Sequence, residues 1–189
     1  LDFFKEFRRI IKDTGIVATY TSSAPVRAAF IEAGFCIGLG PIFGRKQGGT
    51  LASPSQKMLD TSLPKNDEIR IALSDVAIPF RDPGLNNTSD YILEKRTQER
   101  HEKRHVTKIS SDVKTPIFLG QEMDDEKLKR RVERNLAKMN IPSTTSKEAY
   151  YIVETEKSYA EKQTEENNSR DRILDMAKKL KEVKNGDYS

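Results

Sequence analysis

In 189 residues there is one cysteine, no tryptophan, two histidines and no long apolar run. Each scarcity removes a class of protein. A lone Cys36 cannot form an intramolecular disulfide, so a disulfide-stapled secreted scaffold is excluded and a reducing compartment fits. It lies between Phe35 and Ile37 and reads as a buried, inert thiol, because a nucleophilic thiol needs an exposed, thiolate-stabilising setting. No stretch of about 18 apolar residues is available to span a bilayer, and no leader pattern opens the chain. The expectation is a cytoplasmic protein with no membrane partner. Two histidines leave little for a metal. His101-Glu102-Lys103-Arg104-His105 satisfies H-E-x-x-H, which on a helix sets two imidazoles one turn apart beside a carboxylate. A catalytic zinc needs a third ligand, and the flanking KRTQERHEKRHV lacks the apolar back face of such a helix. The match reads as a solvated helix face, and no metal is assigned.

Charged residues make up 33% of the chain and apolar residues 35%, where ordinary domains run nearer half apolar. The apolar residues concentrate before residue 54. The expected division is an α/β part over 1–54, a linker with a possible extra strand over 55–86, and a charged helical extension over 87–189. Net charge is +4, and residues 1–60 hold eight Lys/Arg against five Asp/Glu. That bias is compatible with a polyanion such as RNA; it is equally compatible with ordinary surface variation.

Residues 2–14 carry Phe3, Phe4, Phe7, Ile10 and Ile11 at helical spacing, with Lys5, Arg8, Arg9 and Lys12 on the other face. Gly15 is expected to end this helix in a left-handed conformation. Residues 16–21, IVATYT, suit a buried strand. Ser22 or Ser23 is placed to cap a helix over 24–33, with Pro25 in its first turn and Gly34 closing it. Residues 35–43 and 50–52 read as two strands around a glycine-bracketed turn, and strands joined this closely are antiparallel. Within 68–82, IRIAL reads as a short strand. Helices follow near 87–105, opened by Thr88, Ser89 or Asp90, and over 124–139, with Leu128, Val132, Leu136 and Met139 on one side. Thr145 with Glu148 matches a capping box. A last amphipathic segment uses Ile173, Met176, Leu180 and Val183, and Gly186 stops it.

Glycines 38, 40, 44, 48 and 49 follow neither the Walker spacing nor G-x-G-x-x-G before a helix; a tight hairpin explains them. At its tip, Arg45 and Lys46 either grip a phosphate backbone or are plain surface charge. Thr21 and Ser22 end the first strand. In open α/β sheets that rim borders the ligand crevice, so their hydroxyls either orient substrate or cap the helix. Arg27, one turn further on, faces either the crevice or solvent. No catalytic residue is singled out.

Four segments together carry a resemblance: Asp2-Phe3-Phe4, the strand Gly15 to Thr21, the helix from Val26-Arg27 to Gly34-Phe35, and the turn Gly44-Arg45-Lys46. In that order they resemble the closing part of MnmC-type S-adenosylmethionine-dependent methyltransferases, which act on a modified wobble uridine of tRNA. The resemblance covers about 53 residues. It implies the terminal part of a Rossmann-like methyltransferase sheet, built as parallel strand, helix and antiparallel hairpin. It also implies S-adenosylmethionine as methyl donor, tRNA as partner, and a substrate side formed by Arg45, Lys46, Arg27, Thr21 and Ser22. The family's cofactor loop and acidic residue come earlier in its members, and nothing in these residues corresponds to them. Gln47 and Gly48-Gly49 depart from the family's turn. A chain opening with Leu1 in mid-domain is expected to be the later part of a methyltransferase, with an upstream fragment as partner, or self-association through an exposed strand edge. The alternative is a noncatalytic RNA- or protein-interaction module.

Overall fold

A computed structural model describes residues 1–42, 44, 48–104, 115–154 and 168–187. It is a mixed α/β structure with one small antiparallel sheet and a set of helices. The helices are α1 (Asp2–Ile10), α2 (Ala24–Glu32), α3 (Lys65–Leu73), α4 (Ser89–Arg104), α5 (Glu126–Leu136), α6 (Lys147–Ile152) and α7 (Ser169–Asn185). The strands are β1 (Val17–Thr19), β2 (Cys36–Leu39) and β3 (Thr50–Ser53).

The hairpin is antiparallel as expected, but its position is not at one side. The order is β1-β3-β2, with β3 antiparallel to both neighbours. β1 and β2 therefore run in the same direction, separated by the width of one strand. Helix α2 carries the chain between them, and β3 returns through the gap. Val17, Ala52 and Ile37 lie in one register row; Ala52 and Ile37 are fully buried. Ala18, Leu51 and Gly38 form the row of the opposite face. Among the described residues no strand pairs with the other edge of β1. β1 is accordingly only half-buried, with Ile16 and Tyr20 exposed at its ends, which corrects the expectation of a buried strand.

The core over the sheet is aromatic. Phe30 of α2 stacks on Phe4 of α1 at 4.0 Å between centroids and meets Phe35 edge-on at 5.5 Å. Such contacts add to a large burial of apolar area. Helix α1 ends at Ile11, whose backbone is extended, so Gly15 does not close it; Gly34, with φ of 92°, does sit in the left-handed region after α2.

IRIAL is helical, not a strand. In α3 Glu68 with Ala72, and Ile69 with Leu73, recur four residues apart and all four are buried. The partner of that face is α7, through Ile173, Met176 and Val183. Between the two helices Arg172 forks onto Glu68 at 2.9 and 2.7 Å. Both side chains are buried. Ser169 Oγ accepts from the Leu63 N–H at 2.8 Å and from Arg172 at 3.3 Å. A single buried cluster thus runs from Leu1 to Val183, so the apolar residues after 54 join the core of the first part. α4 is held chiefly by arginines. Arg96 donates to the Ile78 and Val76 carbonyls and lies over the Phe80 ring, while Arg100 pairs with Asp75.

Cap expectations are met unevenly. Thr88 Oγ accepts from Tyr91 N at the start of α4, and Gly186, with φ of 80°, ends α7. The cap of α6 is Ser146, which accepts from Ala149 N, one residue later than the expected Thr145. No described helix is long and apolar enough to cross a membrane.

Candidate functional site

At the carboxyl end of β1 the chain turns through Tyr20-Thr21-Ser22-Ser23 into α2. This turn is held from below by a buried hydrogen-bond chain. Thr50 Oγ donates to the Thr21 carbonyl at 2.7 Å and accepts from Arg27 Nε at 2.9 Å. Arg27 also donates to the Gly49 carbonyl at 3.2 Å and to Asp67 Oδ2 at 2.7 Å. Its side chain is 1% exposed. Of the two expected directions, solvent is therefore excluded, and Arg27 lies buried in the wall of the pocket beside this turn. Its guanidinium locks α2 to the start of β3 and the first turn of α3, because three separate acceptors converge on one fork. Gly49 belongs to the same construction. A Cβ there would run into the Thr19 carbonyl and crowd the Tyr20 backbone, so only glycine lets β3 enter so close to the end of β1.

Thr21 and Ser22 follow the carboxyl end of β1, and Ser22 lines the same pocket. The hydroxyls do not cap α2 by side chain. Ser23 is the cap residue by position, yet its backbone carbonyl alone accepts, from Val26 and Arg27 N–H. Thr21 Oγ instead accepts from Ser23 N at 3.2 Å and donates to Ser23 Oγ at 3.0 Å. Pro25 occupies the first turn as expected. Beside this turn lies a pocket of about 330 Å³ whose walls include Ser22, Ser23, Asp67 and Arg70.

Tyr20 is the residue the sequence reading did not select. The residue is 74% exposed, and the backbone just after it is held by the Thr50 hydroxyl through the Thr21 carbonyl. The available signal was an aromatic at the carboxyl end of a strand beside a Thr-Ser-Ser turn. Arg45 and Lys46 lie outside the described residues. Of the H-E-x-x-H pattern, His101 is exposed on α4 and His105 lies outside the described residues. No group of three or more His, Cys, Asp or Glu is arranged to hold a metal among the described residues. Cys36 is half-buried rather than buried, and burial pushes its thiol above the ordinary pKa.

Residues 1–55 match the model of a family described as S-adenosyl-L-methionine-dependent methyltransferase. An uncharacterized protein of Methanocaldococcus jannaschii is 35% identical over 133 residues, which are 70% of this chain and 37% of that protein. That likeness runs well past the family segment. A crystal structure of MnmC2 from Aquifex aeolicus is 30% identical, with a TM-score of 0.48, over 53% of this chain and 32% of that one. The chain thus spans less than two fifths of either protein's length. Its first 55 residues are similar to a region of that methyltransferase family. The described residues around the pocket do not themselves fit an S-adenosyl group. Adenine wants an apolar slot and a ribose diol an acidic acceptor. The pocket's one carboxylate, Asp67, is held at Oδ2 by the buried Arg27 fork, and the pocket carries no aromatic wall to stack an adenine.

Proposed function

We propose that residues 1–55 close the sheet of a Rossmann-like methyltransferase that uses S-adenosylmethionine and acts on an amine of a modified uridine in tRNA. The observation that carries this reading is the arrangement β1-α2-β2-β3. Two like-directed strands are bridged by α2, and a reversed third strand fills the gap, within the segment that matches the family. The open edge of β1 supports pairing with the sheet's other strands, and those strands would complete the methyl-donor pocket that the described residues do not form.

In this reading the turn after β1 is the substrate side. Tyr20 offers a flat, exposed ring just before a held backbone segment, which suits stacking of an unpaired base, worth about 1–3 kcal/mol per base. Thr21 and Ser22 border it with hydroxyls. Arg45 and Lys46, in the segment that joins β2 to β3, add positive charge for the phosphate backbone. Arg27 and Thr50 position this wall and touch no substrate. Positioning of the acceptor amine is the chain's contribution to rate.

The test is methyl transfer from radiolabelled S-adenosylmethionine to tRNA by the protein that carries this chain. Incorporation into RNA that falls when Tyr20→Ala is introduced is the expected result. Label found only in protein, or none in RNA, would overturn the proposal.

A further inference from the structure

We infer that the exposed face of α5, outside the family-matched segment, is a contact site for the phosphodiester backbone of RNA. Residues 126–138 hold six Lys/Arg and two Asp/Glu, a net of +4, which equals the net charge of the whole chain. The rest of the protein is therefore neutral on balance, and the excess sits on α5 and the single turn that follows it. At 100° per residue, Lys127, Arg130, Arg131 and Arg134 fall within an arc of about 100° on α5. All four are exposed. Together with Glu126 they wall an open groove of about 510 Å³.

Most of this charge is unspent inside the protein. Arg130 has one distant pairing, with Glu126 at 4.0 Å between two exposed side chains. Such a pair contributes little. Lys127, Arg131 and Arg134 have no ion pair among the described residues. Like charges one turn apart destabilise a helix by a few tenths of a kcal/mol per pair, so the cluster is unfavourable to α5 alone. An external polyanion relieves that repulsion.

Shape and chemistry favour RNA over other anions. The apolar side of α5, Val132 and Leu136, is fully buried in the core, so the helix has no apolar face to lay into a lipid bilayer. An acidic protein partner would find no exposed aromatic or aliphatic anchor among these side chains, and such anchors carry protein interfaces. Three of the four cations are arginines, whose planar fork matches phosphate in a bidentate way. Lys127 to Arg134 spans about 10.5 Å along the axis. That is the axial length of about three phosphates on one strand of a duplex.

The inference deepens the RNA-contact part of the proposed function but is tested apart from methyl transfer. Binding of unfractionated tRNA is measured from 50 to 300 mM KCl for the parent and for Lys127→Gln/Arg131→Gln/Arg134→Gln. Glutamine keeps helix propensity, and unchanged melting verifies the fold. A control removes equal charge from α1 and the turn that follows it by Lys5→Gln/Arg9→Gln/Lys12→Gln. The expected result is roughly a tenfold or greater loss of affinity at 100 mM salt and a salt slope shallower by about 2–3 for the α5 variant alone. An unchanged slope, or an equal loss in both variants, overturns the inference. So does retention on phosphatidylglycerol vesicles or polyglutamate that the α5 variant abolishes while tRNA binding persists. Loss of tRNA binding with methyl transfer absent in the parent supports this site and sinks only the enzymatic reading.

Discussion

Arg27→Met separates a positioning role from a substrate contact at the residue where sequence and structure differ most. Methionine keeps an unbranched apolar stem in the same space, so the cavity term is small. What is lost is three charge-assisted donations, to Gly49 O, Thr50 Oγ and Asp67 Oδ2. The Thr50 hydroxyl is buried and loses its donor, and an unsatisfied buried acceptor costs about 1–3 kcal/mol; the Gly49 carbonyl keeps the Gly40 N–H at 3.1 Å and loses only its second, charge-assisted bond, about 1 kcal/mol more. Asp67 retains 31% of its side-chain exposure, so water compensates it and its share is discounted. The expected destabilisation is about 3 kcal/mol, which for a chain of this size lowers Tm by roughly 6–12 °C. Thermal melting followed by circular dichroism at pH 7 reads the shift directly. Arg27→Lys retains a charge but not the fork, and is expected to lose most of the same stability. A melt within about 2 °C of the parent, accompanied by weaker tRNA binding, would refute the reasoning and make Arg27 a ligand contact.

Removing one partner of the buried Glu68–Arg172 pair by Arg172→Leu should cost about 3–5 kcal/mol, whereas Glu68→Met/Arg172→Leu together should recover most of it; a double variant no better than the single, in urea unfolding, would contradict the pairing. Tyr20→Ala should leave stability within about 0.5 kcal/mol but lower kcat/KM for RNA methylation by roughly 10–100-fold. For Asp2, burial would raise the carboxyl pKa, but the Asp82 N–H and the Lys5 ammonium outweigh it and hold the group below its ordinary value. Its contribution is therefore present above the unfolded carboxylate range and is lost as pH falls through the lowered folded value. Asp2→Asn should flatten the acid limb of a Tm-against-pH profile below about pH 4; an unchanged limb would contradict this.

What could be read from the chain was local. A β-branched run before Pro25, an apolar run after Gly34 and glycines before Thr50 prescribe β1-α2-β2-β3 in order. Leu128, Val132 and Leu136 prescribe the buried stripe of α5. What escaped was set by partners far along the chain. Ile69 and Ile71 alternate like a strand, but Glu68 is buried because Arg172, 104 residues away, meets it, and that contact makes the helical face the inward one. Arg27 looked like a surface cation because its acceptors lie 22, 23 and 40 residues further on. The insertion of β3 between β1 and β2 is likewise a nonlocal choice. Turn charges at Arg45 and Lys46 drew notice through their glycine brackets. The stronger charge on α5 was hidden by averaging it with the acidic residues around it.

The central claim is that this fold segment serves methyl transfer to a uridine amine in tRNA. Nucleoside mass spectrometry tests it most directly, on tRNA incubated with S-adenosylmethionine and the protein that carries this chain. The account expects an aminomethyl-uridine nucleoside to gain one methyl group, and to gain far less with Tyr20→Ala. A nucleoside profile identical to that of untreated tRNA would contradict it.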